Sequence, residues 1–95
     1  MRPPALSPEE SAILLKRLPQ WKIDGFSITK TFTAGTFPQV IEWVVAIAGA
    51  AEEMDHHPDL DIRWTNLIVK LTTHDRSNLT HLDFDLAAEI DEICK

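Results

Sequence analysis

Two pairs of alternating apolar and polar segments flank one long apolar-striped stretch, and that order limits the fold more than any other feature of the chain. Trp21-Lys22-Ile23 alternates like a strand, and Asp24-Gly25 suits a two-residue hairpin turn. Phe26 to Thr33 resumes the alternation, with Phe26, Ile28, Lys30 and Phe32 on one side and Ser27, Thr29, Thr31 and Thr33 on the other. After the break at Ala34-Gly35, Thr36-Phe37-Pro38 opens a helix, since proline is accommodated in a first turn. Phe37, Val40, Ile41, Val44, Val45, Ala48, Ala51 and Met54 then recur at three- and four-residue spacing, the period of a buried helical stripe. Pro58 disfavours helical geometry in the residue before it, so the helix is expected to end around Asp55 to His57. Leu60 to Trp64 alternates again, Thr65-Asn66 reads as a turn, and Leu67 to Thr73 as the returning strand.

Helix signals close both ends of the chain. Ser7-Pro8-Glu9-Glu10 predicts a capping box, with an apolar face through Ile13, Leu14 and Leu18 that stops at Pro19. Thr80-His81-Leu82-Asp83 predicts a second capping box, with Leu82, Leu86, Ile90 and Ile93 striping the last helix. The order is α-β-β-α-β-β-α, an α+β fold with a four-stranded antiparallel sheet covered on one face by three helices. At 95 residues the chain is one domain, spanning 1–95. Surface scaling buries about 65% of a chain this size, enough for a core, and self-association would add to it.

A net charge of −6 with scattered Lys and Arg repels phosphate backbones, so neither nucleic acid nor an anionic membrane is an expected partner. The longest apolar run, Trp43 to Ala51, is too short to span a bilayer, and Met1-Arg2-Pro3-Pro4 leads into no signal core. Cys94 is the only cysteine, which excludes an intrachain disulfide and suits a reduced thiol. The cytoplasm is the expected location.

Three of the four histidines lie where the pattern changes: His56 and His57 at the end of the long helix, His74 at the end of the last strand. A fold that joins those two ends builds a pocket of three imidazoles with carboxylates close by. Imidazole titrates near pH 6.5 (about 6.5 in model peptides), so one ring can serve as acid while another serves as base. The plainer alternative is that His56 and His57 only complement the partial negative charge of a helix C-terminus. Zinc is a weaker alternative, because the spacing is not the i, i+4 pair of a helical zinc site and Cys94 is remote. No serine or cysteine sits in a nucleophile elbow, and no glycine-rich loop cradles phosphate. Glu52 and Asp55 are solvated helix residues or pocket carboxylates. Trp21 and Trp64 are core residues or ligand platforms, Asp83 is explained by its cap, and His81 is an exposed first-turn residue.

Glu52, then His56-His57-Pro58 after three residues, Trp64 after five, His74 after nine and Asp83 after eight more resembles the signature of the pterin-4a-carbinolamine dehydratases. The resemblance implies dehydration of 4a-hydroxytetrahydrobiopterin to quinonoid dihydropterin in tetrahydrobiopterin regeneration, without metal or organic cofactor. It implies that His56, His57 and His74 are catalytic, and that Glu52, Asp55, Trp64 and Asp83 hold the pterin. It also implies a homodimer or homotetramer with joined sheets, and a protein partner, since animal members serve as dimerisation cofactors of a homeodomain transcription factor. Two readings share the fold: a non-catalytic binding module, and a dehydratase acting on another pterin. Leu60 and Leu82 depart from the aromatic residue and the arginine that relatives often carry, near the expected pocket mouth.

Overall fold

The computed structural model describes residues 3–95; Met1 and Arg2, which belong to the N-terminal stretch read for a signal core, lie outside the described residues. Helix α1 is Pro8–Leu15, strand β1 Lys22–Asp24, β2 Ser27–Thr33, helix α2 Phe37–Met54, β3 Asp59–Arg63, β4 Asn66–Leu71 and helix α3 His81–Ile93, with a 3₁₀ turn His74–Arg76 before α3. The α-β-β-α-β-β-α order and the α+β class are as expected.

All strands pair antiparallel, in the order β1-β2-β4-β3. Ile28 and Phe32 of β2 and Leu67, Val69 and Leu71 of β4 point to one face. There they meet Val40, Trp43 and Ile47 of α2 and Phe84, Leu86, Ala87 and Ile90 of α3. Burying one such branched or aromatic side chain contributes roughly 1.5–3 kcal/mol, which makes this layer the main source of stability. Phe32 stacks edge-on against both Trp21 and Trp43, with centroids 6.0 and 6.4 Å apart. Lys30 shares that inward face; its Nζ lies 2.7 Å from Asp91 Oδ1 of α3, which also accepts from Trp21 Nε1 at 3.0 Å.

Both capping boxes form. Glu10 N–H donates to Ser7 Oγ at 3.1 Å and Ser7 N–H to the Glu10 carboxylate at 3.0 Å, which holds the Glu10 carboxyl below its ordinary range. Helix α1 is shorter than its apolar pattern: it ends at Leu15, and tighter turns carry the chain to the buried Leu18. Ile13 is exposed, so the covering face is Leu14, Leu15 and Leu18.

The structure moves both hairpin turns by one residue. Asp24 pairs with Ser27, so the loop is Gly25-Phe26, with Gly25 at φ 62° as a hairpin loop of the II′ kind requires. Arg63 pairs with Asn66, so the other loop is Trp64-Thr65 rather than Thr65-Asn66, and Trp64 itself takes φ 55°. Helix α2 is also rotated from the expected stripe. Val40, Trp43, Ile47 and Ala51 are buried, whereas Phe37, Ile41, Val45 and Ala48 face outward. The helix is apolar on nearly every side, so its pattern has two solutions, and the sheet selects the one carrying Trp43. Among the described residues, no helix is long and apolar enough to cross a membrane.

Candidate active site

The site begins where α2 stops. Asp55 adopts the left-handed conformation at φ 49°, its N–H bonds Glu52 O, and His56 N–H bonds back to Ala51 O at 3.1 Å. This paired closure is a Schellman motif, which turns the chain out of the helix before Pro58 is reached. His56 and His57 therefore lie outside the helix, in different surroundings. His56 is sealed at 4% exposure, whereas the side chain of His57 is 55% exposed.

Each of these two rings has one nitrogen committed to a carboxylate. His56 Nε2 lies 2.6 Å from Asp83 Oδ1. Asp83 is fully buried at the start of α3, where its Oδ2 accepts from Thr80 N–H at 3.0 Å and from Thr73 Oγ1 at 2.9 Å. A buried carboxylate with three donors is well satisfied, and it remains an acceptor for His56 Nε2–H. Outside, His57 Nε2 lies 2.5 Å from Glu52 Oε2, five residues back on the last turn of α2. In both rings it is Nε2, not Nδ1, that meets the carboxylate.

His74 arrives from the opposite direction. It lies three residues beyond the end of β4 and opens the 3₁₀ turn, which is at the same end of the sheet as the start of β3, because Asp59 pairs with Lys70. His56, His57 and His74, with Thr72, Thr73 and Asp75, line one cavity of about 130 Å³ open to solvent. Next to it, and sharing His57, is an apolar cleft of about 390 Å³ between α2 and β3, lined chiefly by Val44, Ile47, Ala48 and Leu60, with Glu52 at its rim.

The remaining candidates separate. Glu52 lines the apolar cleft, not the histidine cavity, and holds His57. Asp55 closes α2 and is not among the residues lining either cavity. Asp83 lies beneath the cavity floor with no exposed surface, so it supports His56 rather than touching a ligand. Trp64 is at the opposite end of β3, 78% exposed on the hairpin tip, and a strand of this length carries it more than about 15 Å from the histidines. Trp64 lines neither cavity. Leu60 lines the apolar cleft, and Leu82 is half-buried on the first turn of α3.

Thr73 escaped the sequence reading. It continues the inward parity of Leu67, Val69 and Leu71, and a hydroxyl at an inward position must find a buried partner. That parity, read together with the Asp83 cap, was the available signal. Among the described residues, no group of three or more His, Cys, Asp or Glu side chains is arranged to hold a metal ion.

The chain is similar to known proteins over most of its length. Residues 4–93 match the family model described as pterin 4 alpha carbinolamine dehydratase. A protein of Roseiflexus sp. (strain RS-1), provisionally named a pterin-4-alpha-carbinolamine dehydratase, is 49% identical over 93% of this chain and 95% of its own length. A protein of Chloroflexus aurantiacus (strain ATCC 29366 / DSM 635 / J-10-fl), provisionally named in the same way, is 46% identical over 95% and 97%. The crystal structure of a transcriptional coactivator/pterin dehydratase from Brucella melitensis superposes with a TM-score of 0.91 at 29% identity, covering 96% of this chain and 99% of that one. A pterin dehydratase-like protein identified as a RuBisCO assembly factor of the alpha-carboxysome shares the fold at a TM-score of 0.65, with 21% identity over 78% and 86% of the two chains. On the family match and these identities, this chain belongs to the pterin 4 alpha carbinolamine dehydratase family.

Proposed function

We propose that this chain dehydrates 4a-hydroxytetrahydrobiopterin to quinonoid dihydropterin, acting in tetrahydrobiopterin regeneration by histidine acid-base catalysis. The observation that carries the reading is the convergence of His56, His57 and His74 on one cavity, two of them with a nitrogen held by a carboxylate. The reaction needs one proton delivered and one removed. The C4a–O bond breaks as an imidazolium protonates the leaving hydroxyl, the N5–H electron pair forms the new double bond, and a neutral imidazole takes the N5 proton. Water leaves, no electron is exchanged, and the protein returns to its starting protonation once the two rings pass the proton on. Such positioned proton transfers are worth roughly 10²–10⁴-fold each. In this reading the small cavity takes the reacting C4a–N5 edge, and Glu52, on the adjoining cleft, accepts from the amide-like edge of the pterin.

The test is the dehydration rate of purified protein against His57→Ala and His74→Ala. Both side chains are exposed, so the variants should keep their circular dichroism while the rate falls by orders of magnitude; an unaltered rate removes the reading. A pterin tied to folate or molybdopterin metabolism is the alternative substrate.

A second reading concerns assembly. Phe37, Ile41 and Val45 of α2 are 47, 40 and 67% exposed, and the neighbouring edge strand adds Ile62 at 38%. A helix apolar all round is one that a further element covers. This supports a homodimer or homotetramer, or docking of another protein as in a non-catalytic binding module. A pure binding module would keep its partner after loss of all three histidines. A cytoplasmic setting suits the free thiol and the proposed substrate.

A further inference from the structure

We propose that Thr73 is a positioning residue that sets two of the three cavity imidazoles at once, His56 through Asp83 and His74 through the turn that Thr73 closes. Its kinetic consequence rests on the dehydratase reading; its structural content does not.

The side chain is the first half of the argument. Thr73 is 1% exposed, and its Oγ1 lies 2.9 Å from Asp83 Oδ2 and 2.8 Å from Thr80 Oγ1. Asp83 Oδ2 accepts from the Thr73 hydroxyl, so the Thr73 proton points to Asp83. Thr80, itself fully buried, must then donate to Thr73, and its own oxygen accepts from Leu82 N–H at 3.3 Å. The direction of every proton is thereby fixed, from Thr80 to Thr73 to Asp83. Asp83 Oδ2 is filled by Thr73 and by Thr80 N–H, which leaves Oδ1 as the oxygen aimed at His56. The carboxylate cannot rotate away without breaking two bonds. His56 is held as the Nε2–H tautomer with its other nitrogen available, and a chain of neutral hydroxyls, not a second charge, does the holding.

The backbone is the second half. Thr73 N–H bonds Asn78 O at 3.0 Å, and Thr73 O accepts from Arg76 N–H at 3.0 Å, closing the turn that begins with His74. The backbone at Thr73 is thus fixed on both its polar groups while its side chain is fixed to α3. The turn sets where the His74 side chain starts, one residue later. A shift of Thr73 therefore moves His74 and loosens His56 together. The titratable groups about His56 are Asp83 of α3, in contact with it, and His57, His74 and Asp75, which line the same cavity; Thr73 is the uncharged residue that joins α3 to the turn.

Thr73→Val keeps the shape and removes the donor, while Thr73→Ser keeps the donor and removes the methyl group. Nitrogen-15 spectra of the imidazoles in the full-length protein, without substrate, should show His56 as the Nε2–H tautomer with a slowly exchanging ring proton. Thr73→Val should lose that slow exchange and mix the tautomers, and Thr73→Ser should restore both. In dehydration assays kcat of Thr73→Val should drop about tenfold to a hundredfold, the usual cost of a reacting group misplaced by about an ångström, with KM little changed and Thr73→Ser recovering most of the rate. An Nδ1–H tautomer at His56 in the unaltered protein overturns the proposal, and needs no variant to fold. So does a Thr73→Val protein whose His56 proton is as protected as before. If the tautomer and its loss are as described but the unaltered protein dehydrates no carbinolamine, the positioning role is supported and the dehydratase reading fails.

Discussion

Asp83 places one carboxylate oxygen 2.6 Å from Nε2 of His56, with both side chains closed off from solvent. The pair joins α3 to the residues that follow α2, so the contact that helps close the fold also holds the His56 ring.

Asp83→Ala should therefore damage stability and rate together. It leaves the buried His56 ring, the Thr73 hydroxyl and the Thr80 N–H without their acceptor. Breaking a buried pair of this kind costs about 3 kcal/mol. Loss of the orienting carboxylate of a catalytic histidine lowers turnover by roughly 10³–10⁴. Urea unfolding and the dehydration rate check the two halves separately, and an unchanged rate would remove His56 from the chemistry.

Trp64→Asn should do neither. The residue stands on an exposed hairpin tip in the left-handed region, which a bulky side chain occupies at a cost of roughly 1–2 kcal/mol and asparagine tolerates. Stability should stay level or rise by up to about 1 kcal/mol, with the rate unaltered. A large rise in KM would return Trp64 to the pterin site.

The contrast between these two residues shows what the sequence carried. Local rules marked the helix end at His56 and His57, the strand end before His74 and the cap at Asp83, but not the contact between His56 and Asp83, which only the fold brings about. The capping boxes at Ser7 and Thr80 formed as read. The second hairpin turn was read one residue late, because its loop uses Trp64 at positive φ, which no turn preference anticipates. The stripe on α2 was rotated because apolar residues on both its sides leave the buried one to be chosen by the sheet. Thr73 was passed over because its partner lies on another element, ten residues on.

Lys30 and Asp91 offer a test of the core away from the site. Asp91 accepts from Lys30 and from Trp21, and the side chains of the ion pair are only 14% and 29% exposed. Asp91→Ala should cost about 2 kcal/mol, below the value for a fully buried pair, and lower Tm by roughly 10 °C. Lys30→Met in the same background should recover much of that loss, since it removes the charge left without a partner. Thermal unfolding of the single and double variants measures both, and equal losses would contradict the pairing.

Cys94 should be a slow thiol. Burial, and then the negative charge of Asp91, push it up to about 11, against a smaller opposing pull from Lys30. The neutral thiol is the favoured form at every pH below that value, so the reactive thiolate is scarce at pH 8. Alkylation there should run about a hundredfold slower than for a thiol titrating near 9, and quicken as pH rises toward 11. Complete labelling within minutes at pH 8 would contradict this environment.

The most direct test of the account is a structure of the protein soaked with 7,8-dihydropterin. The account predicts the C4a–N5 edge of the ring within hydrogen-bond reach of His57 and His74, above the His56–Asp83 pair. A ring bound elsewhere, with the three imidazoles untouched, would contradict it.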